Sequence, residues 1–474
     1  MADSTKIERH LNIKGLNLYT NPLLKQNGEL LRAVNVVSEP YGAKSQRPGY
    51  VTYLGTADGS VVTSLFSWTK DDGTTLFTYR ASGVSLFSSA QGTGAWTLCG
   101  NGTITASAHV GYAVLGNTLM VCDGAGSTRY STSGTSFTNG TLAPVAVDLV
   151  EYQRRIYAAG TASTLFYSTT NDATNWNTSG TSDSSSFTIP NAGKLSRIYT
   201  VADRLIAAKN SGRMYKWDGY SLIDMATDAG PSSPYSVSST EGYYFWLNRK
   251  GVFGYGGVKP ELLSNVIQPM IYNNAGGGIS GAGFGTAPAT SHIYDFMLAC
   301  GSVTDDLTNE NIPRAVIDYN YQKNEFLTHN FANAPTAFHS FKNADGQQQL
   351  IFGDSSGQCY TYGGTAVADN GSPIESIIEG VIDLNQPELD KKFQWFWGFF
   401  NPGCEVSVSA YIGNTYSTDS KRYVNIGTPK DGLLETTFPT SSRGKFLFYK
   451  VTNASTTKGF TFYGACVQAE VIGQ

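Results

Sequence analysis

The sequence is poor in charge, has few histidines, no close pair of cysteines and no long apolar run. Only 15% of its 474 residues are charged, against roughly 25% in a typical soluble domain. Such a surface fits cover by neighbouring subunits, and equally a Ser/Thr/Asn-rich exterior left open. A formal net charge of −4 gives no field to grip a phosphate backbone. Electrostatic DNA binding is therefore not expected, whereas a neutral-to-acidic passage past which DNA slides stays open. No stretch approaches 18 apolar residues, so no membrane-spanning segment is expected. Residues 1 to 10 mix charges without an apolar run, unlike an ordinary secretory signal. Cys99, Cys122, Cys300, Cys359, Cys404 and Cys466 are far apart in the chain and form no C-x-x-C pair. They read as free, mostly buried thiols made in a reducing cytoplasm, and the sequons Asn101-Gly-Thr and Asn139-Gly-Thr then read as turns.

The residues that usually announce chemistry are equally sparse. His10, His109, His292, His329 and His339 are the five histidines, none at metal-ligand spacing from another. His329 and His339 sit in strand-like sequence and are expected to pack. No G-x-S-x-G elbow occurs. Gly281-Ala-Gly-Phe-Gly285 lacks the spacing, the preceding strand and the following helix of a nucleotide loop, and is expected to be flexible loop. Asp71–Asp72 and Asp305–Asp306 are adjacent turn acids. Asp305, Asp306 and Glu310 offer oxygen ligands for calcium without the D-x-D-x-D-G pattern. Ser88–Trp96, Ser131–Phe137 and Ser168–Trp176 loosely resemble the Asp-box of sialidase propellers, with Asp172 displaced and no Asp in the first two. A sialidase also needs arginines that fork onto a carboxylate, and Arg154, Arg155, Arg204 and Arg213 are ordinary hairpin positions. No residue is assigned a catalytic, cofactor-binding or metal-ligating role.

What is abundant is glycine, tyrosine and phenylalanine, at 52, 28 and 24 residues. These suit an all-β chain with many tight turns. Seven times a short apolar strand turns into a second strand that ends near an aromatic. The first strands are Leu76–Arg80, Thr118–Cys122, Arg155–Ala159, Arg204–Ala208, Tyr244–Leu247, Asp295–Cys300 and Leu350–Gly353. The returns carry Phe87, Tyr130, Tyr167, Tyr215, Phe253, Tyr319 and Tyr360, spaced by 43, 37, 48, 38, 66 and 41 residues. A hairpin recurring near every 40 residues predicts a β-propeller of about seven blades, each a four-stranded meander. Leu119-Met-Val-Cys122 is apolar throughout, as a strand covered on both faces must be.

Departures from the period set the boundaries. Residues 1–50 form an N-terminal arm, in which Leu30, Leu31 and Val34 suit one face of a short helix or an extended segment packed on the rim. Residues 51–370 are the propeller. Pro260 to Ile271 suggests one or two helical turns, and a Gly/Ala/Ser-rich insertion covers 273–290. After Asp369-Asn-Gly-Ser-Pro373, runs such as Phe393–Phe400 and Phe460–Val471 alternate with period two, predicting a C-terminal β-sandwich over 371–474.

Several of these stretches resemble propeller proteins of bacteriophage tails, especially the nozzle or tail-tube proteins of short-tailed phages. They are Gly15-Leu-Asn with Asn21-Pro-Leu-Leu, Asn27-Gly-Glu-Leu, Ala33-Val-Asn-Val and Gln46-Arg-Pro-Gly-Tyr50; Tyr167-Ser-Thr-Thr-Asn-Asp-Ala-Thr-Asn-Trp176, with Ala173 where proline is common; Tyr244-Phe-Trp-Leu-Asn-Arg-Lys-Gly-Val-Phe253 with Leu263-Ser-Asn-Val-Ile267; and Asp390-Lys-Lys-Phe393 with Gly444-Lys-Phe-Leu-Phe448. The resemblance implies a structural virion protein made in the bacterial host cytoplasm. It implies a homo-oligomeric ring, a hexamer, below the portal and adaptor, with tail fibres as further neighbours. Genomic DNA would pass without specific binding, and no catalytic residue or cofactor is implied.

On this reading the arm and the sandwich face neighbouring subunits. Leu16, Leu18, Arg47, Trp395, Trp397, Phe399 and Phe400 are the candidate interface residues, since hot spots favour large aromatics and arginine. Alternation means that either Trp395 and Trp397, or Phe396 and its partners, fill the sandwich core. Two rival readings remain: a receptor- or glycan-binding tail propeller, marked by exposed aromatic clusters on one face, and a sialidase-like glycosidase, marked by paired carboxylates in a cleft.

Overall fold

The computed structural model describes residues 4–21, 23, 25–90, 94–179, 182–225, 228–240, 242–272, 278–305, 310–416 and 422–472. All seven hairpins read from the sequence are second and third strands of antiparallel meanders arranged around one axis. Six blades are sheets in their own right, five of four strands and one of six. They span 62–103, 111–139, 146–188, 195–224, 238–262 and, as blade 7, 337–362. Blade 6, residues 289–330, is a meander inside a larger ten-stranded sheet. The protein is an all-β propeller with a β-sandwich attached.

The apolar second strands explain the stacking of blades. In Thr118–Cys122, Leu119 and Val121 pack toward blade 1 while Met120 and Cys122 pack toward blade 3. In Arg155–Gly160, Ile156 and Ala158 face blade 2, and Tyr157 and Ala159 face blade 4. Successive side chains point to opposite faces of a strand, so a strand between two neighbours must be apolar at every position. Cys99, Cys122, Cys300, Cys359 and Cys466 are buried, Cys404 is half-buried, and all six are free.

The first fifty residues are shared among all parts of the molecule. Tyr50–Thr52 pairs with Cys359–Tyr362 as the fourth strand of blade 7, closing the ring with chain from its start. Leu30–Val34 is a strand rather than the helix its leucine spacing allows. It pairs antiparallel with Ser376–Ile382 and, through Val34 and Thr328, parallel with blade 6. That strand fuses blade 6 with one sandwich sheet. The other sandwich sheet is built on Thr461–Ile472, flanked by Asp390–Phe400 on one side and by Ser4–His10 and Lys44–Gln46 on the other. Phe393, Phe396 and Phe400 point inward with Tyr449, Phe462 and Val467, and the resulting core continues without a break into blades 5 and 6.

The expected helical turns after Pro260 are present at Ser264–Ile267 and Gln268–Ile271. Gly281–Thr286, expected as flexible loop, is a short helix whose first turn is capped by the Ser280 hydroxyl, which accepts from the Gly283 N–H. Residues 273–277 of the glycine-rich insertion lie outside the described residues.

Candidate functional site

Arg47 follows directly on the strand Lys44–Gln46, which aims it into the place where arm, propeller and sandwich meet. All five of its N–H groups are used. Nε donates to Asn35 Oδ1 at 2.9 Å, Nη1 to Pro48 O at 3.0 Å and Asp369 Oδ1 at 2.8 Å, and Nη2 to Asn330 O at 3.2 Å and Asp369 Oδ2 at 2.6 Å. The guanidinium lies 4.4 Å from the centre of the Phe331 ring. Asn35, in the left-handed region at φ 57°, donates its amide to Glu375 O at 2.7 Å at the entrance to the sandwich. Nearby, Lys44 is buried between Ser38 Oγ and Glu325 Oε2, both at 2.8 Å. Burial lowers its pKa and the Glu325 carboxylate opposes that shift. These groups bind the chain to itself.

The candidate interface residues therefore divide. Leu16, Leu18, Arg47 and Phe400 are buried within the chain and are corrected to internal joints between arm, propeller and sandwich. Intrachain joints and subunit interfaces favour the same large apolar and arginine side chains, so composition does not separate them. Trp395, Trp397 and Phe399 are half-buried on the outer face of the sandwich. A bulge between Phe393 and Trp395 sets that alternation, and it is Phe396 that enters the core. The two indoles stack with centres 5.7 Å apart and planes 8° from parallel. Register places Leu433, opposite Phe399, and Ile7, opposite Gln468, on the same face, and both are exposed.

The propeller axis holds a polar cavity of about 260 Å³ touched by the inner strands of all seven blades. Arg197 Nη1 donates to Asp148 Oδ1 at 2.8 Å, and the Ile198 N–H donates to Oδ2 at 2.8 Å. Burial raises the Asp148 pKa, and Arg197 pulls it back. His109 Nδ1 lies 2.8 Å from Ser64 Oγ, and its ring centre is 4.3 Å from that of Tyr235. Burial pushes His109 down to about 3, so the imidazole is neutral near pH 7. The Ser64 hydroxyl is already held by the Val110 N–H. Asp148 is the sole carboxylate among the described residues lining the cavity, so the paired acids of a glycosidase do not converge there.

The remaining sequence candidates are spread out. Arg155 pairs with Asp183 and Arg213 with Asp224, in different blades. Asp172 caps its own turn through the Thr174 N–H, and Trp176 Nε1 donates to Ala173 O, so the Asp-box-like segment is a structural turn. Asp72 likewise accepts from Thr74 and Thr75, and those hydrogen bonds lower it to about 2. Asp305 and Glu310 are backbone partners at the end of a hairpin, and Asp306 lies outside the described residues. His329, expected to pack, is fully buried against Asp318 at 3.0 Å. Among the described residues no His, Cys, Asp and Glu side chains gather as a metal centre, and no helix is long and apolar enough to cross a membrane.

No family model and no curated protein matches the sequence. Solved structures with a similar course of chain are propellers of low identity. YCF48 from Cyanidioschyzon merolae is 10% identical with a TM-score of 0.44, over 66% of this chain and 98% of its own. BamB from Moraxella catarrhalis is 13% identical at 0.41, over 76% and 97%. The WD40 propeller domain of Doa1 is 10% identical at 0.41, over 66% and 97%. The chain's own ring of meanders defines it as a β-propeller protein, and these likenesses say nothing of what it does.

Proposed function

We propose that this chain is a structural protein of a bacteriophage tail, of the nozzle or tail-tube kind, acting in a ring of its own copies that continues the DNA conduit below the portal and adaptor. The resemblance of the arm and blade motifs supports the virion role. The observation that supports assembly is the outer sandwich face, where stacked Trp395 and Trp397 lie beside Phe399, Ile7 and Leu433. An aromatic strip on a rigid sheet has the composition of an interface core. The propeller axis is too small for a duplex whose major groove alone is about 12 Å wide, so the DNA path in this reading runs between copies. Its work is passive and it carries no catalytic step.

Sizing of the purified chain with mass detection tests the ring. The expected result is a closed oligomer that Trp395→Ser with Trp397→Ser converts to monomers of unchanged circular dichroism. A wild-type chain that stays monomeric at its highest soluble concentration, or a double variant that assembles normally, would count against it.

A further inference from the structure

The seam between blades 5 and 6 carries a groove of about 430 Å³, which shares no lining residue with the axial cavity or with the outer sandwich face. Its floor is unusual. On the hairpin of the second and third strands of blade 5, Phe245 stands opposite Gly254, and the register continues so that Tyr243 faces Gly256. Neither glycine has a left-handed φ, so backbone conformation does not require them. Space does. A Cβ at Gly256 would lie 2.8 Å from the Tyr243 ring, and one at Gly254 would lie 2.9 Å from Leu263 Cδ1. The rings lean across bare backbone as a result. Tyr243 and Phe245 lie 6.3 Å apart with planes at 16°. Phe245 and Tyr321, from the blade 6 turn, lie 6.1 Å apart at 32°. Tyr243 and Tyr321 thus present ring surface to the groove beside Phe245, which is itself buried.

Polar groups rim these rings, together with the exposed Val258. Asn324 Oδ1 accepts from the Tyr319 hydroxyl at 3.0 Å, which leaves the exposed Asn324 amide N–H groups as donors. Lys259 and Glu261 are both exposed on the blade 5 edge, where their charges cancel. An aromatic platform has a negative π face that attracts polarised C–H groups, and a few fixed donors and acceptors set orientation in a pocket of this size. Nucleic acid needs an excess of cations, which the rim lacks. A wholly apolar ligand would desolvate Asn324, Lys259 and Glu261 without replacing their hydrogen bonds.

We infer that this groove is a saccharide-binding site, taking one or two neutral pyranose rings of a glycan. Their C–H faces lie on Tyr243 and Tyr321, and their hydroxyls meet Asn324, Lys259 and Glu261. The site is independent of the assembly reading, because none of these residues belongs to the outer sandwich face.

Saturation-transfer-difference NMR on the full chain tests it, with a panel of cellobiose, maltose, lactose, chitobiose and a mannobiose. The expected result is transfer to the ring C–H protons of at least one member. Removing one stacking ring with Tyr243→Ala should weaken that member about three- to tenfold. Tyr243 is exposed, so this variant should fold. Gly256→Val, which fills the floor, should abolish transfer, with circular dichroism confirming its fold. Three results would overturn the inference: no transfer from any member at millimolar concentration, transfer that Tyr243→Ala leaves unchanged, or transfer to a polyproline peptide alone. None of these readouts depends on oligomeric state.

Discussion

Arg47 and Asp369 meet as a two-pronged ion pair at 2.6 and 2.8 Å, with both side chains withdrawn from solvent. One belongs to the arm and the other to the exit from the propeller, so the pair ties the two ends of blade 7 to the sandwich.

Removing one member leaves the other charged and buried. Arg47→Ala is expected to cost about 3–5 kcal/mol, read as a lower midpoint in urea unfolding. Arg47→Lys keeps the charge but loses the planar fork, so its midpoint should fall between wild type and Arg47→Ala. Equal midpoints for wild type and Arg47→Ala would show that the joint is not a source of stability.

The second prediction concerns pH. Burial raises the Asp318 carboxyl to about 7, and burial followed by the nearby Asp318 raises Asp295 to about 8. These groups hold protons more tightly folded than unfolded. Their stabilisation is therefore full below about pH 4 and is lost as pH rises through 7 to 8. Burial lowers His329 to about 3, so its contribution is full above about pH 6.5 and is lost as pH falls. Between these limits the slopes oppose. Above pH 6.5 only the carboxyl slope remains, and the melting temperature should decline toward pH 8.5. Asp318→Asn should flatten that decline, as measured by scanning calorimetry across pH 5 to 9.

Closure of the ring can be tested at Tyr50. Its ring centre lies 4.9 Å from Phe352 and 5.0 Å from Tyr360, and its hydroxyl donates to Asn333 Oδ1 and accepts from the Asn333 N–H. Tyr50→Ala should cost about 3–5 kcal/mol through the cavity it leaves. Tyr50→Phe should cost only about 1–3 kcal/mol, because it strands Asn333. The two unfolding free energies, compared by urea titration, separate packing from hydrogen bonding.

Gly464 sets how closely the first strand approaches the last. Its φ is +138°, and a Cβ there would sit 2.1 Å from His10 O. Gly464→Ala should displace Ser4–His10 at a cost of about 1–3 kcal/mol. Hydrogen exchange should then speed up at Thr5 to Arg9 while the blades stay protected.

The sequence revealed the parts of the fold that repeat locally. Leu119-Met-Val-Cys122 is apolar at each position because a blade lies on either side, and no distant information is needed to read that. The arm was harder. Leu30–Val34 is five residues whose partners lie about 340 positions away, so no local period marks it as a strand. Leu16, Leu18, Arg47 and Phe400 carry interface chemistry, yet their interface is internal. Asp369 opens the boundary segment Asp369–Pro373, and no local pattern marks it as the partner of Arg47, 322 positions away. Gly254 and Gly256 were two among many glycines. Only the rings opposite them on the paired strand, Phe245 and Tyr243, give their missing side chains a purpose.

The pairing of Ser4–His10 with Thr461–Ile472 has a consequence in time. Ribosomes deliver roughly 5–20 residues per second, so the first strand waits about half a minute or longer for the strand it will lie against. The blades between them can stack in order as they emerge, each against the one before. Ser4–His10 cannot settle until Thr461–Ile472 has been made, whereas Tyr50–Thr52 can close blade 7 as soon as Cys359–Tyr362 has emerged. Residues 461–472 therefore complete residues 4–10, and a nascent chain stopped short of residue 461 should carry a closed propeller with a loose first strand. Limited proteolysis of stalled nascent chains would find the arm cut while the blades resist.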